Sequence, residues 1–246
     1  MELTMAKLHS LERALIATAV VLLTLLAWSY MAMPMPATVA DGSKPHLPAL
    51  ILIMWTVMMV AMMLPSATPM IMTYMKVCQR RRASNRSMSP TWVFLAGYLT
   101  VWTGFGVLAA LLQWSLNKTA LLSPAIGHVG PVTGGVLLIM AGAYQFSRLK
   151  QACLGKCQSP LGFLMTEWRE GLAGAFVMGI RHGAFCTGCC WALMLLMFVG
   201  GVMNLVWMIG LALYFLAEKL VPWQRLFSHI TGSILIASGT LILGIQ

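Results

Sequence analysis

The segment RHGAFCTGCCW, Arg181 to Trp191, with ALMLLM after it, holds the densest group of reactive side chains in the chain. On a helix advancing ~100° per residue, His182, Cys186, Cys189, Cys190, Met194 and Met197 fall within an arc of roughly 140°. One face then presents an imidazole, three thiols and two thioethers. Thiolate and thioether are the soft ligands that select Cu(I), and thiolate with imidazole also suits zinc. The same residues have a plainer use: cysteine packs as a small hydrophobe, and Gly, Cys and Ala let helices approach closely. Gly183 and Gly188 threaten to interrupt the stripe.

A second pair, Cys153 and Cys157 in KQACLGKCQSP, lies four residues apart and so on one side of a helical turn. The two sulfurs could share an ion, and the flanking Lys150 and Lys156 are expected to lower their pKa and favour thiolate. They could equally be loop cysteines without a role. With Cys78 they complete the six cysteines of the chain. All fall at or near the inner ends of the expected spans, where thiols stay reduced, so a disulfide framework is not expected. Folded together, loop and helix would make a site of four or five sulfurs.

Methionine is abundant at 21 residues. Met54, Met58 and Met62 recur at helical spacing with Met59 and Met63 beside them, and Met31, Met33 and Met35 precede His46. Thioethers bind Cu(I) softly, and weak binding at several sites permits passage. Met31, Met33, Met35 and His46 are therefore candidates for outer capture and the second series for relay. Any single methionine is otherwise a filler of irregular core gaps.

These groups must be positioned by membrane helices. With 59% hydrophobic and 9% charged residues, the chain of 246 residues is far from a soluble composition. At ~20 apolar residues per crossing it has room for about six to eight. An all-α, polytopic transmembrane helix bundle of about seven spans is expected, at residues 14–31, 49–75, 91–116, 130–146, 186–202, 204–220 and 229–245. Pro65 and Pro69 should kink the second. Residues 171–185, apolar but short and Gly-rich, with Arg181 and His182, read as an interfacial or half-inserted helix. The first apolar run is long for a signal core and is expected to be retained.

The net charge of +10 comes from lysines and arginines clustered between apolar runs. Residues 76–90, the longest polar tract, are too short for a nucleic-acid-binding module, so nucleic acid is not an expected partner. The positive-inside rule accounts for the clusters with seven spans and a cytoplasmic N-terminus. Only Lys44 and Lys118 then fall outside, with His46 and His128. A multi-pass protein of a bacterial inner membrane follows. Glu218 and Lys219, at the end of the sixth span, read as a buried ion pair, a proton relay or an interfacial anchor.

WTVMMVAMMLP (Trp55 to Pro65), Gly97-Tyr98 with Trp102, AGAYQF (Ala141 to Phe146), CLGKC (Cys153 to Cys157), CTGCCWALM (Cys186 to Met194) and Ala217-Glu218-Lys219 give the chain its resemblance to a known group. It resembles, over most of its length, an uncharacterised bacterial family of predicted metal-binding integral membrane proteins, a domain of unknown function. The resemblance implies membrane location and metal binding without naming the ion. Copper as Cu(I) is the expected cargo and zinc the alternative, with a membrane or periplasmic copper protein as recipient. Two other readings compete: a membrane thiol-disulfide oxidoreductase using Cys186, Cys189 and Cys190, and a non-catalytic subunit of a larger membrane complex. No P-loop, Ser-His-Asp grouping or HExxH occurs, so a binding or transport role is expected over catalysis.

Overall fold

A backbone in an apolar medium must satisfy its own polar groups, which favours long helices bounded by Pro, Gly and charged residues. The structure, a computed structural model, describes residues 2–33, 47–83, 89–119, 122 and 128–245. In order these form α1 (Glu2–Ala32), α2 (Leu47–Ala83), α3 (Thr91–Lys118), α4 (Pro131–Gln145), α5 (Arg148–Gln158), α6 (Pro160–Glu167), α7 (Gly171–Met194), α8 (Met197–Gly200), α9 (Leu205–Leu220) and α10 (Gln224–Gly244). Outside the helices, the described residues hold one isolated bridge, Leu122 to Val129.

Among the described residues five segments are long and apolar enough to cross a membrane: Ser10–Ala32, Ala49–Arg82, Thr91–Lys118, Gly171–Gly200 and Gln224–Gly244. This is fewer than the seven expected. Residues 130–146 and 204–220 fold as helices of 15 and 16 residues, about 22–24 Å long against a hydrocarbon layer of ~30 Å. Their ends are set locally. Gly130 precedes Pro131 at the first turn of α4, and the Asn204 side chain caps α9 by accepting from Trp207 N.

The separate helix expected at residues 171–185 is also corrected. Those residues are the first half of the continuous helix α7, which runs through Gly183 and Gly188 to Met194. The expected span 186–202 is its second half, followed by α8, which stops at Gly201 with φ 93°. The glycines do not break α7 because they face its partners. A Cβ on Gly179 would overlap the Phe94 carbonyl oxygen, and one on Gly183 would lie 2.9 Å from Val101 Cβ. Ala175, Gly179 and Gly183, spaced by four, form the small-residue seam on which α3 packs.

Pro65 lies inside α2 and cannot donate to the carbonyl of Ala61. Trp28 Nε1 of α1 donates to that carbonyl at 3.1 Å, so the proline's missing donor is replaced across the α1–α2 contact. One end of the bundle is charged. There Arg13 Nε donates to Gln79 Oε1 at 3.3 Å, Gln79 Nε2 donates to Glu12 Oε2 at 3.1 Å, Arg81 pairs with Glu170 and Arg181 with Glu167. The long helices α2 and α7 reach this end, and α5 packs against α7 and against α6.

Replacing Gly179 by Leu should force α3 and α7 apart and destabilise the protein by about 1–3 kcal/mol or more. Thermal unfolding in detergent should show a lowered Tm for Gly179→Leu and little change for Gly104→Leu, where nothing lies within 4 Å of an added Cβ. Equal Tm values for the two variants would contradict the seam.

Candidate metal centre

Once α7 runs unbroken, Cys186, Cys189 and Cys190 share its buried face, all at most 1% exposed. The short helix α5 then lies against them, bringing Cys153 and Cys157. Cys157 contacts the thiols of Cys186 and Cys189, and Cys190 contacts Cys186 and Cys189. Cys153 sits over Gly188, where an added Cβ would lie 2.8 Å from its Sγ. Five of the six cysteines thus meet from two segments of the chain. Cys78 is buried on α2, near Tyr74 and Arg81.

The centre of the group is the sulfur of Cys186. Lys219 Nζ of α9 donates to it at 3.0 Å and to Ser66 Oγ of α2 at 2.7 Å. Tyr98 Oη of α3 lies 3.4 Å from the same sulfur and donates to Met63 O at 3.2 Å. Cys189 Sγ and Cys190 Sγ each donate to the Cys186 carbonyl at 3.0 Å. The thiols therefore close around Cys186 and not around a common empty point. Among the described residues no three His, Cys, Asp or Glu side chains are arranged to hold a metal ion.

His182 stands one turn before Cys186, 2% exposed. Its ring is stacked on Tyr98 at 5.6 Å and meets Phe163 edge-on at 5.4 Å. Its Nδ1 is buried with no hydrogen-bond partner. Buried polar atoms normally find partners, so this nitrogen, on a residue one turn from Cys186, has an unused donor or acceptor. Met194 is buried one turn beyond Cys190. Met31 is buried near the end of α1, whereas Met33 is 63% exposed. Met35 and His46 lie outside the described residues. Met54, Met58 and Met62 are buried on α2.

The expectation that nearby lysines activate the α5 thiols is corrected. Lys150 Nζ pairs with Glu218 Oε1 at 2.7 Å, with both side chains essentially inaccessible. Lys156 Nζ donates to Thr166 Oγ1 at 3.2 Å. Burial, then the neighbouring Cys189, raises the pKa of Cys153. Hydrogen bonds to Cys186 and Cys189, then burial, raise that of Cys157 well above the ordinary thiol value. The carboxylate of Glu218 also accepts from Tyr214 Oη at 2.9 Å and Ser228 Oγ at 2.8 Å. Glu218 and Lys219, adjacent in sequence, thus serve different partners.

Lys219, Ser66 and Tyr98 were not identified from spacing as members of the centre, since each comes from a different helix. The signals available were the charge of Lys219 at the end of an apolar run and the Gly97-Tyr98 pair.

A family model described as PpoB2, copper chaperone, matches residues 52–242. The match covers every residue of the sulfur group and the lysine that meets it. No curated protein and no solved structure matches the chain.

A thiol with a raised pKa is mostly protonated at neutral pH and a poor nucleophile. Alkylation of Cys153 and Cys157 in the metal-free protein, followed by mass spectrometry, should be slower than that of free cysteine. It should keep accelerating as pH rises beyond the ordinary thiol range. Faster alkylation than free cysteine would mean that lysine activation prevails after all.

Proposed function

The chain belongs to the PpoB2 copper chaperone family, and from that premise we propose that it is a membrane copper chaperone binding Cu(I) through its cysteine cluster. The observation that carries this reading is the meeting of five buried cysteines from α5 and α7, all inside the matched stretch. Soft sulfur donors in an apolar setting favour Cu(I) over the harder ions, with zinc the secondary candidate. Cys186, Cys189, Cys190, Cys157 and Cys153 are the proposed ligands, with His182 Nδ1 beside them and Met194 deeper along α7. Cu(I) is satisfied by two thiolates, so such a cluster offers several alternative pairs. An ion that moves between pairs is held without being trapped, which suits delivery to a copper protein.

Capture is assigned to Met31, Met33, Met35 and His46 and relay to the buried Met54, Met58 and Met62, whose thioethers bind weakly enough to let the ion leave. The chain is proposed to cross a bacterial inner membrane seven times with its N-terminus in the cytoplasm. Gly171–Gly200 then makes one crossing, and the short α4 and α9 make two more. The charged end of the bundle faces the cytoplasm on this reading, in line with the bias of lysine and arginine.

Protein purified without chelators and supplied with Cu(I) is expected to hold copper at stoichiometric or higher occupancy. Cys189→Ser with Cys190→Ser should lower occupancy severalfold while the protein stays folded. Equal copper content in the two would overturn the assignment. A trapped mixed disulfide through Cys186 or Cys189, with no copper bound, would instead mark thiol exchange.

The topology is checked by reporter fusions: one between α6 and α7 should report a cytoplasmic position, and one between α8 and α9 a periplasmic position. The reverse pattern would overturn the proposed orientation.

A further inference from the structure

A charged amine inside an apolar bundle is costly unless a negative group answers it. Among the described residues Lys150 is fully buried, and Lys219 is half-buried with its amine turned into the bundle. Lys150 is answered by the Glu218 carboxylate at 2.7 Å. The Lys219 ammonium instead donates to Cys186 Sγ at 3.0 Å and Ser66 Oγ at 2.7 Å. Ser66 spends its own proton on Met63 O at 2.9 Å, leaving its oxygen free to accept. Cys189 and Cys190 direct their thiol protons at the Cys186 carbonyl, each at 3.0 Å. Cys186 Sγ, which accepts from Lys219, is therefore the group placed to carry a negative charge that answers it.

We propose that Lys219 is the specificity-determining residue of the cluster, a fixed counter-cation that favours a monovalent over a divalent metal ion. The inference rests on the copper reading above. Two thiolates binding Cu(I) form a unit of charge minus one, and the Lys219 ammonium brings the buried assembly to zero. The second thiol gives up its proton to solvent as the second metal–sulfur bond forms, and no electron is transferred. A divalent ion on the same two thiolates is already neutral, so beside the ammonium it reaches neutrality only if a third buried thiol also releases its proton to solvent, a further cost that Cu(I) does not meet. Lys219 approaches Cys186 from α9, whereas the cysteines lie on α5 and α7. It can act through charge without occupying a ligand position.

The test uses the full chain in detergent. Cu(I) affinity is measured by competition with bicinchoninate and Zn(II) affinity by competition with a colorimetric chelator, in the wild type, Lys219→Gln and Lys219→Arg. Gln keeps a hydrogen-bond donor and loses the charge, and Arg keeps the charge. Lys219→Gln should weaken Cu(I) binding by at least about tenfold, equivalent to about 1.4 kcal/mol, and weaken Zn(II) binding less or strengthen it. Lys219→Arg should stay within about threefold of the wild type for Cu(I), a difference of about 0.7 kcal/mol.

Unchanged or tighter Cu(I) binding in Lys219→Gln would overturn the inference, and so would equal losses for both metals, the signature of a merely structural role. Should Lys219→Gln not fold, Ser66→Ala, which removes the second anchor of the ammonium, must shift the Cu(I)-to-Zn(II) ratio in the same direction. An unmoved ratio there overturns the inference too. A wild type that binds no Cu(I) defeats the copper reading itself, and this inference with it. Cu(I) binding with an unmoved ratio defeats this inference alone.

Discussion

The close approach of α5 to α7 at Gly188 is the constraint on which the centre depends. A methyl group at that position would lie 2.8 Å from the sulfur of Cys153. Only a residue without a side chain lets the α5 cysteines settle against those of α7. The same device places α7 on α3, where Gly97, Gly179 and Gly183 face the partner backbone or Val101. In lipid, helices gain little from expelling apolar surface, so close van der Waals contact at small residues does that work. Tyr98, carried by α3 one residue beyond Gly97, is brought onto Cys186 by this crossing.

Electrostatics is the second constraint. The apolar interior tolerates Lys150, Glu218 and Lys219 because each is answered: Lys150 by Glu218, Glu218 also by Tyr214 and Ser228, and Lys219 by Cys186 and Ser66. The Lys150–Glu218 pair ties α5 to α9, and Lys219 ties α9 to α2 and α7. The four helices α2, α5, α7 and α9 are thus held by interactions that are expensive to break singly, since removal of one partner leaves a charge unanswered. Orientation of the sulfurs and fold specificity are served by the same contacts.

Much of this was legible in the chain, and the reasons for the rest are physical. The all-helical class followed from apolar runs of membrane length. The cysteines stood out because their residue type is rare and their spacing fits one helical face. Gly183 and Gly188 read as helix breakers, yet helix-facing glycines serve packing, and this hid the continuity of α7 through residues 171–185. Lys150 and Lys156 read as activators of their neighbours in sequence. Their amines reach instead to Glu218 and Thr166, which are distant or on the next helix. Lys219 and Ser66 are separated by 153 positions, and no local pattern reports such a pair. The bounds of α4 and α9 match the expected 130–146 and 204–220 to within a residue, and what these helices lack is the length of a full crossing.

A membrane copper chaperone has to bind an ion firmly enough to exclude free copper and loosely enough to surrender it. On the proposed reading, a cluster with more thiols than Cu(I) needs, closed around one sulfur and compensated by one ammonium, would meet both conditions. The central claim is that copper sits on these sulfurs. X-ray absorption at the copper K-edge of the Cu(I)-loaded protein tests it most directly. A first shell dominated by sulfur is expected, and it is lost in a variant with Cys153, Cys157, Cys186, Cys189 and Cys190 all replaced by Ser. A shell of nitrogen and oxygen alone, or a sulfur shell unaffected by that replacement, would contradict it.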